Sequence, residues 1–238
     1  MKLKQKVVFI PRDKETTILL DHPKPAKKYV PDWFKKLPSS WISSNGWKKS
    51  GPINCLPFLD SFTNGYIHEL PCDLEIKNEG IDKDGNDIIR YTWSGSIRPI
   101  QTRFENEGAP SALPTFDGYY SGEFQWFTSW DPKTPSGYST IYHHPSNRFD
   151  LPFMTYTGIV DTDNWSGHGP VPFLLKKGFQ GIIPAGTPII QFSFIKRESW
   201  SSSAEKYDEY KHAKIQYKLK RHFYGAYKKF YWSRKDYN

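Results

Sequence analysis

The chain has 238 residues, 37 % of them hydrophobic and 24 % charged, which suits one large or two small folded domains and excludes a disordered tail. Thirty-three Lys and Arg against 25 Asp and Glu leave a net charge of +8. Its apolar runs, such as Val7–Ile10, fall far short of the ~18 residues that span a bilayer or the length of a signal-peptide core, and Cys55 and Cys72 alone make neither a disulfide scaffold nor a zinc ribbon.

Forty aromatic residues, 19 Pro and 17 Gly predict short strands joined by ordered loops rather than a helical bundle. Segments 6–10 and 16–20 read as two strands around a polar turn. Prolines 23, 25 and 31 then forbid a continuous helix, leaving one short turn capped by Asp32 and bearing Trp33 and Phe34. Residues 39–54, rich in Ser, Gly and Asn, read as a loop. Strands are predicted through 65–76 with a break at Pro71, then a hairpin turn at Asp82–Asn86 with its return strand at 88–94. An irregular segment covers 104–121. Strands follow at 124–129, 138–143, 153–160, 171–175 and 188–197, a rhythm of a barrel or sandwich with no helix longer than two turns.

After Trp200, Ser202 and Glu205 form a capping-box pattern. Tyr207, Tyr210, Ala213, Tyr217, Tyr224, Tyr227 and Tyr231 recur at helical spacing, so one long helix is expected with a tyrosine stripe that packs on the β core or on Trp33 and Phe34. The expected organisation is an N-terminal arm and loop (1–54), a β core (55–200) and a basic, Tyr-rich C-terminal helix (201–238). Charge follows the same division. Residues 1–50 carry twelve Lys/Arg against four Asp/Glu, residues 51–200 eleven against seventeen, and residues 201–238 ten against four. Basic ends flanking an acidic centre can bind nucleic acid or keep the protein in solution, and no RNA-recognition, zinc-finger or phosphate-loop signature accompanies them, so solvation is the favoured reading.

Three ordered segments carry a resemblance: Pro135-Ser136-Gly137-Tyr138-Ser139, Gly158-Ile-Val-Asp-Thr-Asp-Asn-Trp165 and Gly186-Thr-Pro-Ile-Ile-Gln191. They resemble motifs of the trimeric dUTPase and dCTP deaminase superfamily, whose versions read Pro-Arg-Ser-Gly, Gly-Val-Ile-Asp-x-Asp-Tyr and Gly-x-x-Ile-Ala-Gln. The resemblance covers residues 132–197 and implies a β-clip-like barrel, a homotrimer and a nucleotide or other small anionic ligand. It implies Asp161 as the group that activates water, with Ser136 and Gly137 at a phosphate and Asp163, Trp165 and Gln191 as further ligand-binding residues. Thr134 and Pro135 replace the family's Pro-Arg pair, Trp165 stands where a sugar-stacking Tyr is expected, and no Gly-rich C-terminal arm is present. Nearly the whole chain is also similar to uncharacterised proteins of tailed phages and of marine and other proteobacteria, through the 25–33 arm, Pro57-Phe-Leu-Asp60, Thr134–Ser139, His144–Phe153 and Gly158–Asp163. That similarity implies a bacterial host cytoplasm, in keeping with the two thiols, and an alternative role as an assembly or accessory protein, with association with the virion.

A second alternative is a non-haem metal enzyme using His143, His144 and His168 with Asp150, Asp161 or Asp163. The spacing speaks against it, because adjacent residues of a strand point to opposite faces. No metal ligand is therefore assigned, and no cofactor is implied.

Overall fold

The computed structural model describes residues 5–102, 114–165, 167–221 and 225–237. In chain order the elements are β1 (Val8–Pro11), α1 (Lys14–Leu19), β2 (Lys24–Pro25), α2 (Asp32–Lys35), β3 (Ser40–Ile42), β4 (Lys48–Ser50), α3 (Leu56–Thr63), β5 (Tyr66–Glu69), β6 (Leu74–Ile81), β7 (Asp87–Trp93) and β8 (Ile100–Thr102). There follow β9 (Phe124–Trp126), β10 (Trp130–Lys133), β11 (Tyr138–His143), β12 (Phe153–Thr155), β13 (Gly158–Val160), β14 (Val171–Leu175), β15 (Gly181–Ile183), β16 (Pro188–Lys196), α4 (Glu209–Arg221) and α5 (Ala226–Phe230). The protein is mainly β, and every strand pair is antiparallel.

Three sheets build the core: β13-β11-β16-β5-β2, β12-β14-β9-β8 and β15-β6-β7. Each has an open strand order, so the closed barrel expected from the motifs is not what these strands form. Instead the inward residues of all three meet in one cluster. Tyr142, Ile190 and Phe192 come from the first sheet, Phe124, Trp126, Phe153 and Phe173 from the second, and Leu74, Ile76 and Ile183 from the third. Trp126 stacks on Phe173 at 3.7 Å, and its indole N–H donates to Thr155 Oγ1 at 3.1 Å, so the largest core side chain is buried with its polar atom satisfied.

Of the N-terminal strands, β1 pairs with β10 in a separate two-stranded sheet, and β2 adds to the β5 edge of the five-stranded sheet. The strand expected at 16–20 is the helix α1. Asp13 caps it by accepting the Thr16 N–H at 2.7 Å, and this local bond outweighs the strand preference of Thr-Thr-Ile. The expected loop 39–54 contains the hairpin β3–β4, turned at Gly46 with φ 80°. Asp32 opens α2 but does not cap it; Pro31 stands at the cap position. Residues 56–63 form α3, whose Pro57 sits in the first turn, where its missing N–H costs no bond.

The expected strand 153–160 is two strands in different sheets. Phe153–Thr155 pairs with β14, and Gly158–Val160 pairs with β11. The Asp82–Asn86 hairpin turn forms as expected, with Asp82 Oδ1 accepting the N–H groups of Asp84 and Asn86. Most of the irregular segment, 104–113, lies outside the described residues.

The C-terminal region differs most from expectation. The helix begins at Glu209, capped by Asp208 Oδ1 on the Lys211 N–H at 2.9 Å, and not at Ser202. A second short helix follows Gly225, whose φ of 79° breaks helical continuity. No residue of α4 is buried, and Tyr207, Tyr210 and Tyr217 face solvent, so the tyrosine stripe does not pack on the core. Tyr224 lies outside the described residues. What returns to the body is the end of the chain. Trp232 Nε1 and Lys235 Nζ both donate to Asp60 Oδ2 (2.9 and 2.7 Å), and the Tyr237 hydroxyl donates to Asn64 Oδ1, strapping the tail across α3. Among the described residues no helix is long and apolar enough to cross a membrane.

Candidate functional site

The first two motifs meet because β11 pairs with β13 on one side and β16 on the other. In the turn that follows β13, Thr162 points inward and Asp161 outward. The Thr162 hydroxyl, 1 % exposed, lies 2.8 Å from that of Thr134 and 2.7 Å from that of Thr140, which ties the turn after β13 to both ends of the turn before β11. Asp161 is thereby held at the surface, its side chain 57 % exposed, and Asp163 beside it with its carboxylate 5 % exposed.

Arg197 joins them. Its guanidinium makes a bidentate pair with Asp163, one arm at 2.9 Å and the other to Oδ2, and lies 3.2 Å from Asp161 Oδ1. Asp163 Oδ2 also accepts the Gly137 N–H at 2.8 Å. With the guanidinium and this N–H favouring the charged form, the Asp163 carboxyl is held down to about 2. Asp161 Oδ1 accepts the Ser139 hydroxyl at 2.6 Å, while Oδ2 has no hydrogen-bond partner among the described residues and the side chain is 57 % exposed.

Sequence reasoning missed Arg197 because no local motif marks it. It follows the last residue of β16, and the register that sets Tyr138 opposite Lys196 carries it on to the Gly137 turn, where its N–H donates to Gly137 O at 2.8 Å. A cation thus reaches this turn from a different strand, held there by two carboxylates.

Trp165 closes the same turn, its N–H donating to Asp161 O at 2.9 Å. The indole is 59 % exposed and rests on the backbone of Gly167, where even a Cβ would come within 2.3 Å of the ring. Beside it opens a cleft of about 390 Å³ walled by Trp165, Tyr142, Tyr156, Val160, Val171 and Pro172. That volume lies in the range of small-molecule sites, and the walls are mostly aromatic and aliphatic.

The remaining candidates stand elsewhere. Ser136 is exposed at the tip of its turn, and it is Ser139 whose hydroxyl reaches Asp161. Gln191 is 1 % exposed with its amide fully used: Oε1 accepts the Ser146 N–H at 2.8 Å, and Nε2 donates to Ser61 O and Asn64 O at 3.0 and 2.6 Å. It fastens α3 and the 144–148 loop to the sheet.

The histidines do not gather either. His143 bonds Ser193 Oγ and His144 O, and His144 bonds Arg148 O and the Thr155 N–H. Burial lowers the pKa of both rings. His168 Nδ1 lies 3.0 Å from Oδ2 of the buried Asp131, whose pKa burial pushes up to about 7. Neither atom has a hydrogen-bond partner among the described residues. No group of three or more His, Cys, Asp or Glu among the described residues is placed to hold a metal ion.

No protein-family model matches the chain, and no curated protein does. Among solved structures, the dUTPase from phage phi11 of S. aureus aligns with 47 % of this chain and 99 % of its own, at 14 % identity and a TM-score of 0.27.

Proposed function

We propose that the protein binds a nucleoside or nucleotide, with the base or sugar seated in the cleft beside Trp165 and the exposed Asp161 carboxylate nearby, while the covered Asp163 fixes the turn. The observation that carries this reading is the cleft itself: an aromatic-walled pocket of about 390 Å³ that opens directly after a turn bearing two fixed carboxylates. Aromatic walls take the face of a base, and carboxylate oxygens accept hydrogen bonds from base N–H or sugar hydroxyl groups. Ser136 and Gln191 have no part in it.

Hydrolysis of a nucleoside triphosphate is the second reading, supported by the exposed Oδ2 of Asp161, a group able to take a proton from water. Charge argues against it. The turn holds two carboxylates and one guanidinium, so phosphates would meet net negative charge where phosphoryl chemistry needs a cationic clamp.

A thermal-shift and calorimetric screen against nucleobases, nucleosides and nucleotides tests both readings. At least one is expected to raise the melting temperature of the protein. Trp165→Ala should abolish that shift while leaving the unliganded melting temperature in place, because the ring is mostly exposed. Asp161→Asn should weaken binding of the ligand and, should any triphosphate turn over, abolish the turnover. No shift with any member of the panel rejects the proposal.

A further inference from the structure

The helix α4 carries its tyrosines and its bases on the same side. At 3.6 residues per turn, Tyr210, Lys214, Tyr217 and Arg221, spaced by four, three and four, fall on one line along the helix, with Lys211 and Lys218 beside it. Ile215 and Leu219 lie on the other side. Tyr210 is 79 % exposed and Tyr217 59 %, and no side chain of the helix is buried. This arrangement is unlike a packing face, which would be apolar and covered. It is also unlike a solvating face, which has no use for two rings held in water.

One of the two rings, Tyr217, is held in place as well. The Arg221 guanidinium donates to the Tyr217 hydroxyl at 2.9 Å and lies 5.2 Å from its ring centroid. Acidic residues are confined to the start, where Glu205 is paired with Lys211, and none follows Glu209 along the helix. The last three turns therefore offer positive charge alternating with exposed π faces. The chemistry complementary to that face is a polyanion with stackable rings along its length.

We infer that α4 is a binding surface for single-stranded nucleic acid, in which Lys211, Lys214 and Arg221 meet backbone phosphates and Tyr210 and Tyr217 stack on unpaired bases. A folded duplex presents the phosphates but hides the base faces, so single strands are preferred. The surface is separate from the Trp165 cleft and does not depend on what that cleft binds.

The test is fluorescence anisotropy of a labelled oligothymidylate with the full-length protein over a series of salt concentrations. Affinity should fall steeply with salt. Lys211→Gln with Lys214→Gln should weaken binding and make the logarithmic salt slope shallower by about two. Tyr210→Ala with Tyr217→Ala should weaken it roughly tenfold or more at an unchanged slope, since two base stacks are lost and no charge is. The corresponding Phe pair should restore it. None of these variants should move the melting temperature, because α4 contributes no buried side chain. The inference is overturned if the oligonucleotide does not bind at low salt, or if the tyrosine pair is without effect. It is equally overturned if duplex DNA binds as tightly, or if polyglutamate of equal charge displaces the strand as well as unlabelled oligothymidylate does, which would assign the face to acidic polypeptides.

Discussion

Arg197 holds together the surface at which the two main motifs meet. Its guanidinium spans Asp161 and Asp163, and the Gly137 N–H completes the shell of Asp163. Because Asp163 is held near 2 against an ordinary 3.8, its folded-state advantage is complete above about pH 4 and is lost as pH falls through 2. Replacing the cation removes that advantage. Arg197→Met is expected to lower the denaturation midpoint at pH 7 and to erase much of its decline between pH 4 and pH 2, as read from urea titrations at stepped pH. An unchanged acid limb would mean that Asp163 takes no stability from Arg197. The same variant should loosen the Trp165 cleft only indirectly, since the indole rests on Gly167 and not on Arg197.

Among the elements, the junction of β5 with β16 is the tightest. Gly65 has φ 74°, and a Cβ there would sit 1.7 Å from the carbonyl oxygen of Phe192. No side chain fits without moving one strand off the other. Gly65→Ala should therefore cost more than the roughly 1–2 kcal/mol of left-handed backbone alone. Gly137→Ala serves as the control: its φ is 82°, but open space surrounds it, so only the backbone cost applies. Chemical denaturation of the two variants checks the ranking, and equal losses would show that the close approach at Gly65 is relieved by small shifts.

Elements legible from sequence were those whose own residues decide them. The alternation of 138–143 and 171–175 and the Asp-Lys-Asp-Gly-Asn turn are of this kind. By contrast α1, built from Lys-Glu-Thr-Thr-Ile-Leu, is decided by one capping bond from Asp13, and the split of 153–160 is decided by which neighbour each half finds.

At the scale of the molecule, buried imidazoles link sheets that local strands cannot. His68 on β5 accepts the Ser129 N–H at Nε2 (2.9 Å) and donates from Nδ1 to Glu69 O, joining the five-stranded sheet to the start of β10. Burial pushes its pKa down to about 4, and burial likewise lowers those of His143, His144 and His168. An unfolded chain protonates these rings near 6.5, so their contribution is complete above that pH and is lost as pH falls toward 4. Asp131 acts oppositely, its raised pKa giving stability that is fully present below about 4 and lost as pH rises through 7. Four imidazoles are lowered against one raised carboxyl. The melting temperature should climb from pH 4 to 6.5, and His68→Gln should flatten the climb while lowering the melting temperature at pH 7. A flat wild-type profile would contradict a neutral, buried His68.

The amino-acid order by itself determined a mainly β chain, the strands at 138–143 and 171–175 and the shared face of Tyr210 and Tyr217, because strand and helix periods fix which residues point the same way. Only the tertiary structure decided what lies opposite each face. It brought Arg197 to two aspartates through the register of β16 on β11, enclosed Gln191 in backbone bonds, and left the tyrosine stripe in water. The physical reason is common to all three: periodicity orients a side chain relative to its own element, whereas its partner is supplied by a segment tens of residues away, through pairing that neither segment encodes alone.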